Sequence, residues 1–483
     1  MSDTAGTGLK RGALGTPGIV FIVVSAAAPL MVMVGVAPIA FLVAGVSAPT
    51  IYLAAGITLT VFAVGFTTMA RHVTNAGGFY AYIALGLGKG AGTVAALLAL
   101  FSYNALEIGV FGLLGVSANA TFADVFGLDL PWYVWALAGV ALVWFLGFRS
   151  VDVGAKVLAV LVTAETALLL MLAVAVLAQG GADGIHFDSF HPSNFLTAET
   201  GTALPIAFAA FMGFESTVIY RAEARDPERT IPRATYLAVA LLAVVYGFIV
   251  WSVVQAFGAD GIVPTAASDP VGLVFAATDI YLGGWATTLM QILMVSSIVA
   301  SLLAFHNAIT RYTRAIAEEG MLPSALAAVH PSTGSPYIAG VAQTALAAAV
   351  VAGFAVAGAD PFAHLLIWVN TPGVLGILLL QVLAAIAVPA YFIRSAHDES
   401  AWRTRVAPLL AAAAMIGALC VTVTHLELIT AASDAVNLVL MLSVVAVCAC
   451  GVVWALWLRR NRPEVYAAIA TEADEGISGD LVR

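Results

Sequence analysis

Long apolar stretches alternate with short polar segments along the whole of this 483-residue chain. A helix needs about 20 mostly apolar residues to cross a bilayer, and continuous runs of that length predict membrane spans. The chain is therefore expected to be an all-α integral membrane protein with 12 transmembrane helices. We place the spans at residues 17–44, 48–70, 90–119, 132–149, 153–178, 201–222, 234–257, 285–315, 336–357, 361–392, 406–425 and 434–458.

Positive charge is confined to one side of this predicted arrangement. All 19 Lys and Arg residues lie in the tails, in every second connection or in the span ends next to it, whereas the other six connections contain acids but neither Lys nor Arg. This bias is typical of the cytoplasmic segments of polytopic membrane proteins. We therefore predict a multi-pass protein of the cell membrane, with a cytoplasmic N-terminal tail (1–15), a transmembrane domain (16–458) and a cytoplasmic C-terminal tail (459–483).

Composition agrees with a membrane location. The chain is 61% hydrophobic and only 10% charged, which is far from the composition of a soluble domain of this length. Its formal charge of −9 gives no reason to expect nucleic acid as a partner. The three cysteines fall in late apolar spans and are interpreted as packing residues, so neither a metal nor a cofactor is predicted. The last 20 residues are expected to form a disordered tail.

Two of the spans are interrupted near their middle. Pro29 follows four small residues inside the first span and removes helix hydrogen bonds there, and Gly213 and Glu215 interrupt the sixth. Breaks five spans apart indicate an inverted repeat of five plus five helices, in which the substrate binds at the midplane between the discontinuous helices. The alternative is a pair of ordinary kinks, which are common in membrane helices. The repeats would comprise residues 17–178 and 201–392, with appended helices over 406–458.

Three polar strings lie on the predicted cytoplasmic side of the second, sixth and eighth spans. They are Arg71–Tyr82, Phe211–Thr217 with Glu223–Arg233, and Asn307–Pro323. In this order, and over residues 15–458, the chain resembles the amino acid, polyamine and organocation (APC) permeases. The resemblance implies the leucine-transporter-like fold, alternating access, and secondary uptake of amino acids or amines, commonly driven by protons.

The first break departs from the family pattern. Many members have glycines there, whereas this chain has three alanines, Ala26 to Ala28, before Pro29. Their methyl groups narrow the approach to the backbone amides. Recognition of a substrate carboxylate by these backbone amides is therefore less strongly expected here than in members with glycines.

Backbone groups at the two breaks are the predicted contacts for a zwitterion. Amides at the start of the second half of span one would hold a carboxylate, and carbonyls in span six would hold an ammonium. Phe214 is expected either to cover the ligand as a thin gate or to pack. The predicted substrate-binding residues are Ala26, Ala27, Ala28, Pro29, Leu30, Asn104, Glu107, Phe211, Met212, Gly213, Phe214 and Glu215.

Three acids, Glu107, Glu165 and Glu215, lie at membrane depth, where ionisable residues are costly and are functional candidates by default. Glu215 is expected to contact a cation or to accept amides exposed by the break. Glu107 shares a helical face with Tyr103 and Asn104, which predicts either a pocket wall that grips a distal amine or a polar packing cluster.

Glu165 is surrounded by leucines and valines on its face of span five. The resemblance implies an ionisable group on this helix in proton-driven members, so Glu165 is the predicted proton carrier. Ser297 and Ser301, four residues apart on span eight, are expected to line the same place or to pack between helices. His306 is expected to be a hydrogen-bonded packing residue.

These features predict a proton-coupled importer of an amino acid, organic amine or polyamine. A slight preference for cationic substrates is expected, because two or three acids lie at membrane depth and no buried Lys or Arg would neutralise a substrate carboxylate. Its partners would be this small molecule, the proton and the lipid bilayer. An exchanger of amino acids or amines is the alternative. A membrane enzyme or receptor is a distant one, because the sequence contains no nucleophile elbow, phosphate loop or metal-spaced cluster, and no large soluble module.

Overall fold

The computed structural model describes residues 14–73, 77–149, 154–215, 217–218 and 224–471, and these form a bundle of helices. Short 3₁₀ and π-helical turns join or extend several of them. The α-helices in chain order are α1 (Thr16–Ala27), α2 (Pro29–Gly35), α3 (Ala37–Ala44), α4 (Ala48–His72), α5 (Phe79–Leu87), α6 (Lys89–Phe126), α7 (Trp132–Arg149), α8 (Gly154–Ala178), α9 (Pro192–Phe195), α10 (Ala198–Ala210), α11 (Pro227–Phe257), α12 (Ile262–Ser268), α13 (Leu273–Leu282), α14 (Gly284–Glu318), α15 (Tyr337–Val356), α16 (Val369–Arg394), α17 (Ala407–Thr424), α18 (Glu427–Thr430), α19 (Asp434–Asn461) and α20 (Pro463–Ala468).

Within the described ranges, 11 helical stretches are long and apolar enough to cross a membrane. This confirms the predicted all-α, multi-pass architecture. The predicted sixth span is not among the 11, because its helix α10 has only 13 residues and ends in an irregular segment. The count of 12 spans and the inverted repeat stay predictions.

Helix α6 lies at the centre of the bundle and packs against α5, α7, α14, α16 and α19. Small residues allow α16 to approach it closely. A Cβ atom on Gly109 would overlap the side-chain amide of Asn370, and one on Gly376 would overlap Oγ of Ser102. Close approach at small residues is how membrane helices gain packing energy, since lipid offers no hydrophobic drive between them. This contact therefore fixes α6 and α16 against each other.

Hydrogen bonds between helix ends or their connections lie at the two ends of the bundle. At the end where α1 begins, which we call the N-terminal face, Leu14 accepts from the backbone N–H of Arg225 at 2.7 Å, and Tyr80 donates to Glu319 at 2.9 Å. At the other end, the opposite face, Gln291 donates to Asp124 at 2.8 Å and Ser47 donates to the carbonyl of Asn194 at 2.6 Å. These contacts place successive connections at alternate ends of the bundle, as the span pattern predicts.

The described part of the C-terminal tail is ordered. Helix α19 runs to Asn461, α20 follows it, and Ile469 and Ala470 are buried. Lys89 donates to the carbonyl of Ala467. This differs from the prediction of disorder for residues 464–471, because their few apolar side chains find a groove at the N-terminal face. Residues 1–13 and 472–483 lie outside the described residues.

Candidate functional site

The first span is broken at the predicted position. Helix α1 ends at Ala27, Ala28 has a left-handed conformation (φ 45°, ψ 76°), and Pro29 begins α2. The carbonyls of Ala26 and Ala27 accept hydrogen bonds from other helices instead of from their own. The hydroxyl of Ser301 donates to Ala26 at 3.3 Å, and that of Tyr246 donates to Ala27 at 3.4 Å. Two distant helices, α14 and α11, thus hold this break open.

The sixth span is broken at Gly213. Helix α10 ends at Ala210, and Gly213 adopts φ 106°, a region open mainly to glycine. A Cβ atom built on Gly213 would lie 3.0 Å from the Cβ atom of Ala26. The two broken segments therefore touch each other, and the predicted discontinuity of both helices is confirmed.

Two cavities meet where the segments touch. The first, which we call the apolar cavity, has a volume of about 110 Å³ and lies between α2, α10, α6 and α16, on the side of the opposite face. The second, the polar-lined cavity, has a volume of about 70 Å³ and lies towards the N-terminal face. Its polar lining residues are Tyr103, Glu215, Asn307, Arg311 and Tyr312. Ala26, Met212 and Phe305 line both cavities and form the thin wall between them.

Glu215 uses both carboxylate oxygens within the protein. The hydroxyl of Tyr103 donates to Oε1 at 2.8 Å, and the backbone N–H of Gly213 donates to Oε2 at 3.0 Å. The side chain is only 5% exposed. A carboxylate that accepts the amide of a broken helix satisfies a backbone donor that would otherwise be orphaned. This geometry favours the structural alternative for Glu215, although its edge lines the polar-lined cavity.

Glu165 lies at the first break, on α8. Its carboxylate is 1% exposed and lies beside the backbone N–H of Leu30 and the hydroxyl of Ser297. Neither Oε1 of Glu165 nor the Ser297 hydroxyl has a well-aligned hydrogen bond. The positive end of α2 therefore faces an acid from another helix, and one oxygen of that acid is available for a proton.

Glu107 lies away from both cavities. Gln343 donates to its Oε2, and Nδ1 of His306 lies 4.0 Å from its Oε1, so three helices contribute to one buried polar cluster. Glu107 is fully buried. The structure therefore does not place it where a substrate in either cavity would meet it.

The other predicted residues divide between the cavities and the core. Ala27 lines the apolar cavity, whereas Ala28, Pro29 and Leu30 are buried beside it. Asn104, Phe211 and Phe214 line neither cavity. Asn104 donates to the carbonyl of Leu100 at 2.8 Å, Phe211 packs edge-on against Tyr246 with ring centroids 5.7 Å apart, and Phe214 packs edge-on against Phe62 at 6.0 Å.

Sequence reasoning missed Phe305, the aromatic residue that lines both cavities. A signal for it was present. Phe305 lies four residues after Ser301 and eight after Ser297, so all three share one face of α14. Phe305 carries no charge, so attention to acids at membrane depth does not single it out. It does lie on the helical face that Ser297 and Ser301 define.

The sequence of this chain is similar to those of known proteins. The profile of the amino acid permease family matches residues 18–467. The chain belongs to the amino acid permease family. Its leucine-transporter-like fold follows from that membership, in agreement with the two broken helices.

Individual relatives match over shorter stretches. An uncharacterized transporter of Mycobacterium tuberculosis is 29% identical over 245 residues, which is 49% of this chain and 53% of that protein. The L-methionine/branched-chain amino acid exporter of Escherichia coli is 29% identical over 189 residues, covering 38% of this chain and 42% of the exporter. Cationic amino acid transporter 2 of Arabidopsis thaliana is 31% identical over 150 residues, covering 30% and 22%. The chain thus spans about half or less of the length of these relatives.

Proposed function

We propose that the protein is a secondary active transporter that imports an amino acid by alternating access, coupled to protons through Glu165. Family membership and the meeting of two broken helices between two cavities support amino acid transport. The substrate would bind where Ala26, Met212 and Phe305 separate the cavities, with its charged ends against backbone groups of the two breaks. Rearrangement of this thin wall would open one cavity and close the other.

The single observation that supports proton coupling is the position of Glu165. A buried carboxylate with an unpaired oxygen is costly, and a proton on Oε1 would remove that charge. The same proton would weaken the attraction between Glu165 and the N-terminal end of α2, whose amide at Leu30 lies beside it. Proton binding would thereby change the energy of the hinge at Ala28, which couples the proton to movement of span one.

The remaining parts of the proposal follow the charge and span patterns. The protein would reside in the cell membrane with its N-terminal face towards the cytoplasm, because Arg71, Arg311 and Arg403 lie at that end. Two inverted repeats over residues 17–178 and 201–392, with the appended helices over 406–458, would form one transport domain. An exchanger of amino acids or amines is the second candidate, since the relatives include an exporter.

Uptake into proteoliposomes tests the proposal. Purified protein is reconstituted and given a mixture of the tritiated amino acids, with an acidic exterior and no internal substrate. We expect accumulation that a protonophore abolishes. Glu165→Gln should lose this gradient-driven accumulation, yet retain counterflow in vesicles preloaded with amino acids, because glutamine is held permanently neutral.

Glu199→Gln is the matched control, since Glu199 is an exposed acid outside both cavities and should behave as the parent protein. Gradient-driven accumulation by Glu165→Gln would refute the role of Glu165. Uptake that needs internal amino acid even under a proton gradient would instead establish the exchanger.

A further inference from the structure

We infer that the substrate is an amino acid whose side chain is apolar and of about the size of leucine or methionine, and that this side chain occupies the apolar cavity. The inference rests on the proposed function and names its substrate class. It departs from the slight preference for cationic substrates that the sequence indicated, since that preference rested on acids whose positions the structure now gives.

The walls of the apolar cavity offer no charge. None of the described residues that line it is an acid or a base, and its apolar lining includes Met31, Val110, Ile206 and Leu366. An apolar side chain gains affinity by about fourfold for each methylene removed from water. A side chain with a terminal ammonium would lose its hydration there without a partner, which is strongly unfavourable.

The polar side chains of this cavity are already engaged. Thr371 donates to the carbonyl of Ile367 at 2.8 Å, and Thr422 donates to that of Thr202 at 3.2 Å. Asn370, in the amide orientation that satisfies its nitrogen, donates to two carbonyls of α6 at 3.0 Å each. Thr422 and Asn370 thereby connect neighbouring helices, Thr371 bonds to its own helix, and none of the three offers a charged partner to a distal amine.

Among the described lining residues, Glu215 is the only carboxylate, and it lines the polar-lined cavity. Both oxygens of Glu215 are engaged, and Glu107 and Glu165 line neither cavity. Arg311 also lines the polar-lined cavity, so the lining of that cavity includes one acid and one base. The apolar cavity, where the substrate side chain is proposed to bind, offers no described carboxylate to a distal ammonium.

Size provides the other half of the inference. A cavity of about 110 Å³ is close in size to one small apolar group, since an apolar cavity of about 150 Å³ binds benzene, and glycine and alanine would therefore leave most of it unfilled. Larger apolar side chains would fill it. Affinity should therefore rise along the series glycine, alanine, norvaline, leucine.

Counterflow distinguishes the substrate classes. Proteoliposomes are preloaded with each unlabelled compound in turn, and exchange of tritiated L-leucine is measured against glycine, alanine, norvaline, leucine, methionine, lysine and putrescine. We expect leucine and methionine to support the fastest exchange, at least tenfold above lysine and putrescine, with norvaline above alanine and glycine. Parallel preloading experiments with tritiated L-lysine should give little exchange.

The outcomes separate the two proposals. Exchange of lysine or putrescine equal to or faster than that of leucine would overturn the substrate class while amino acid or amine transport stands. A preference for glycine or alanine would overturn it as well. Absence of exchange and of thermal stabilisation by any amino acid in folded protein would refute the proposed function, and the substrate class with it.

Substitutions on α10 localise the side chain to the cavity. Ile206 lines the apolar cavity and Leu204 does not, although both are aliphatic residues of the same helix. Ile206→Ala should raise the ratio of phenylalanine to leucine exchange at least fivefold because it widens the cavity, and Ile206→Val should raise it less. Leu204→Ala should leave the ratio unchanged. An unchanged ratio in both folded Ile206 variants would place the side chain elsewhere and overturn the inference.

Discussion

The two breaks touch each other, yet they are stabilised in different ways. At the sixth span, Glu215 belongs to the broken segment itself and accepts the amide of Gly213, two residues away. At the first span, the carbonyls are held by Tyr246 and Ser301 from distant helices, and Glu165 approaches from a third. A break capped from within is a local structure, whereas a break held by other helices changes when those helices move.

The difference assigns separate roles to two buried acids. Each carboxylate oxygen of Glu215 already accepts a hydrogen bond, one from Tyr103 and the other from Gly213. Glu165 has one oxygen without a partner. Burial alone did not distinguish them, because both are almost inaccessible. Hydrogen-bond occupancy favours Glu215 as a structural cap and Glu165 as a group that exchanges a proton.

The strongest test of the sixth break is Gly213→Ala. Its φ of 106° is unfavourable for alanine, and the added methyl group would meet Ala26 at 3.0 Å. We expect a loss of about 2 kcal/mol in stability, read as a lower melting temperature in detergent, and at least a tenfold loss of uptake. Gly353→Ala is the control, since nothing lies within 4 Å of the added carbon atom. Equal effects of the two substitutions would contradict the strain at Gly213.

Glu215→Gln separates the cap from the proton carrier. Glutamine replaces one acceptor oxygen by a donor, so the Tyr103 hydroxyl must accept instead of donate and both hydrogen bonds lose the negative charge of their partner, at a cost of about 1.5 kcal/mol. We expect a lower melting temperature and about threefold slower uptake that still responds to a pH gradient. Loss of the gradient response with unimpaired counterflow would instead show that Glu215 carries the proton.

Tyr246→Phe probes the outside support of the first break. It removes the hydroxyl that donates to Ala27 at 3.4 Å, and we expect a loss of about 0.5–1 kcal/mol in thermal unfolding. Tyr52 provides a matched control, because its ring packs edge-on against that of Tyr246 and its buried hydroxyl has no partner. Tyr52→Phe should be neutral or stabilising. The opposite ranking would contradict the support from Tyr246.

Ala28→Gly should have the smallest effect on stability and should stabilise the protein, whereas the preceding test substitutions destabilise it. Ala28 is held at φ 45°, where glycine avoids the clash of the β-carbon. We expect a net stabilisation of up to about 0.5 kcal/mol, because the relief of backbone strain exceeds the larger conformational entropy that glycine loses on folding. It would be measured as a small rise in melting temperature. Ala413→Gly, in the exposed face of α17, should lower it. Destabilisation at Ala28 equal to that at Ala413 would show that the turn carries no strain.

Much of the fold was readable because its signals are local. Pro29 lacks an N–H, and Gly213 permits a backbone conformation closed to other residues, so each marks its own break without reference to the rest of the chain. The apolar lengths of the spans likewise follow from the bilayer thickness. The ordered helix α20 was not predicted, because its burial depends on a groove formed by distant segments such as the one containing Lys89.

By itself, the sequence determined that the chain crosses a membrane many times and where two of its helices stop. Only the tertiary structure decided that Glu107 meets His306 and Gln343, that Glu215 caps its own break and that Glu165 faces the end of α2. Helical periodicity states which side chains share a face, but the identity of the facing helix depends on contacts between residues far apart in the chain. The polarity of the cavities follows from those contacts, and with it the kind of substrate that they can hold.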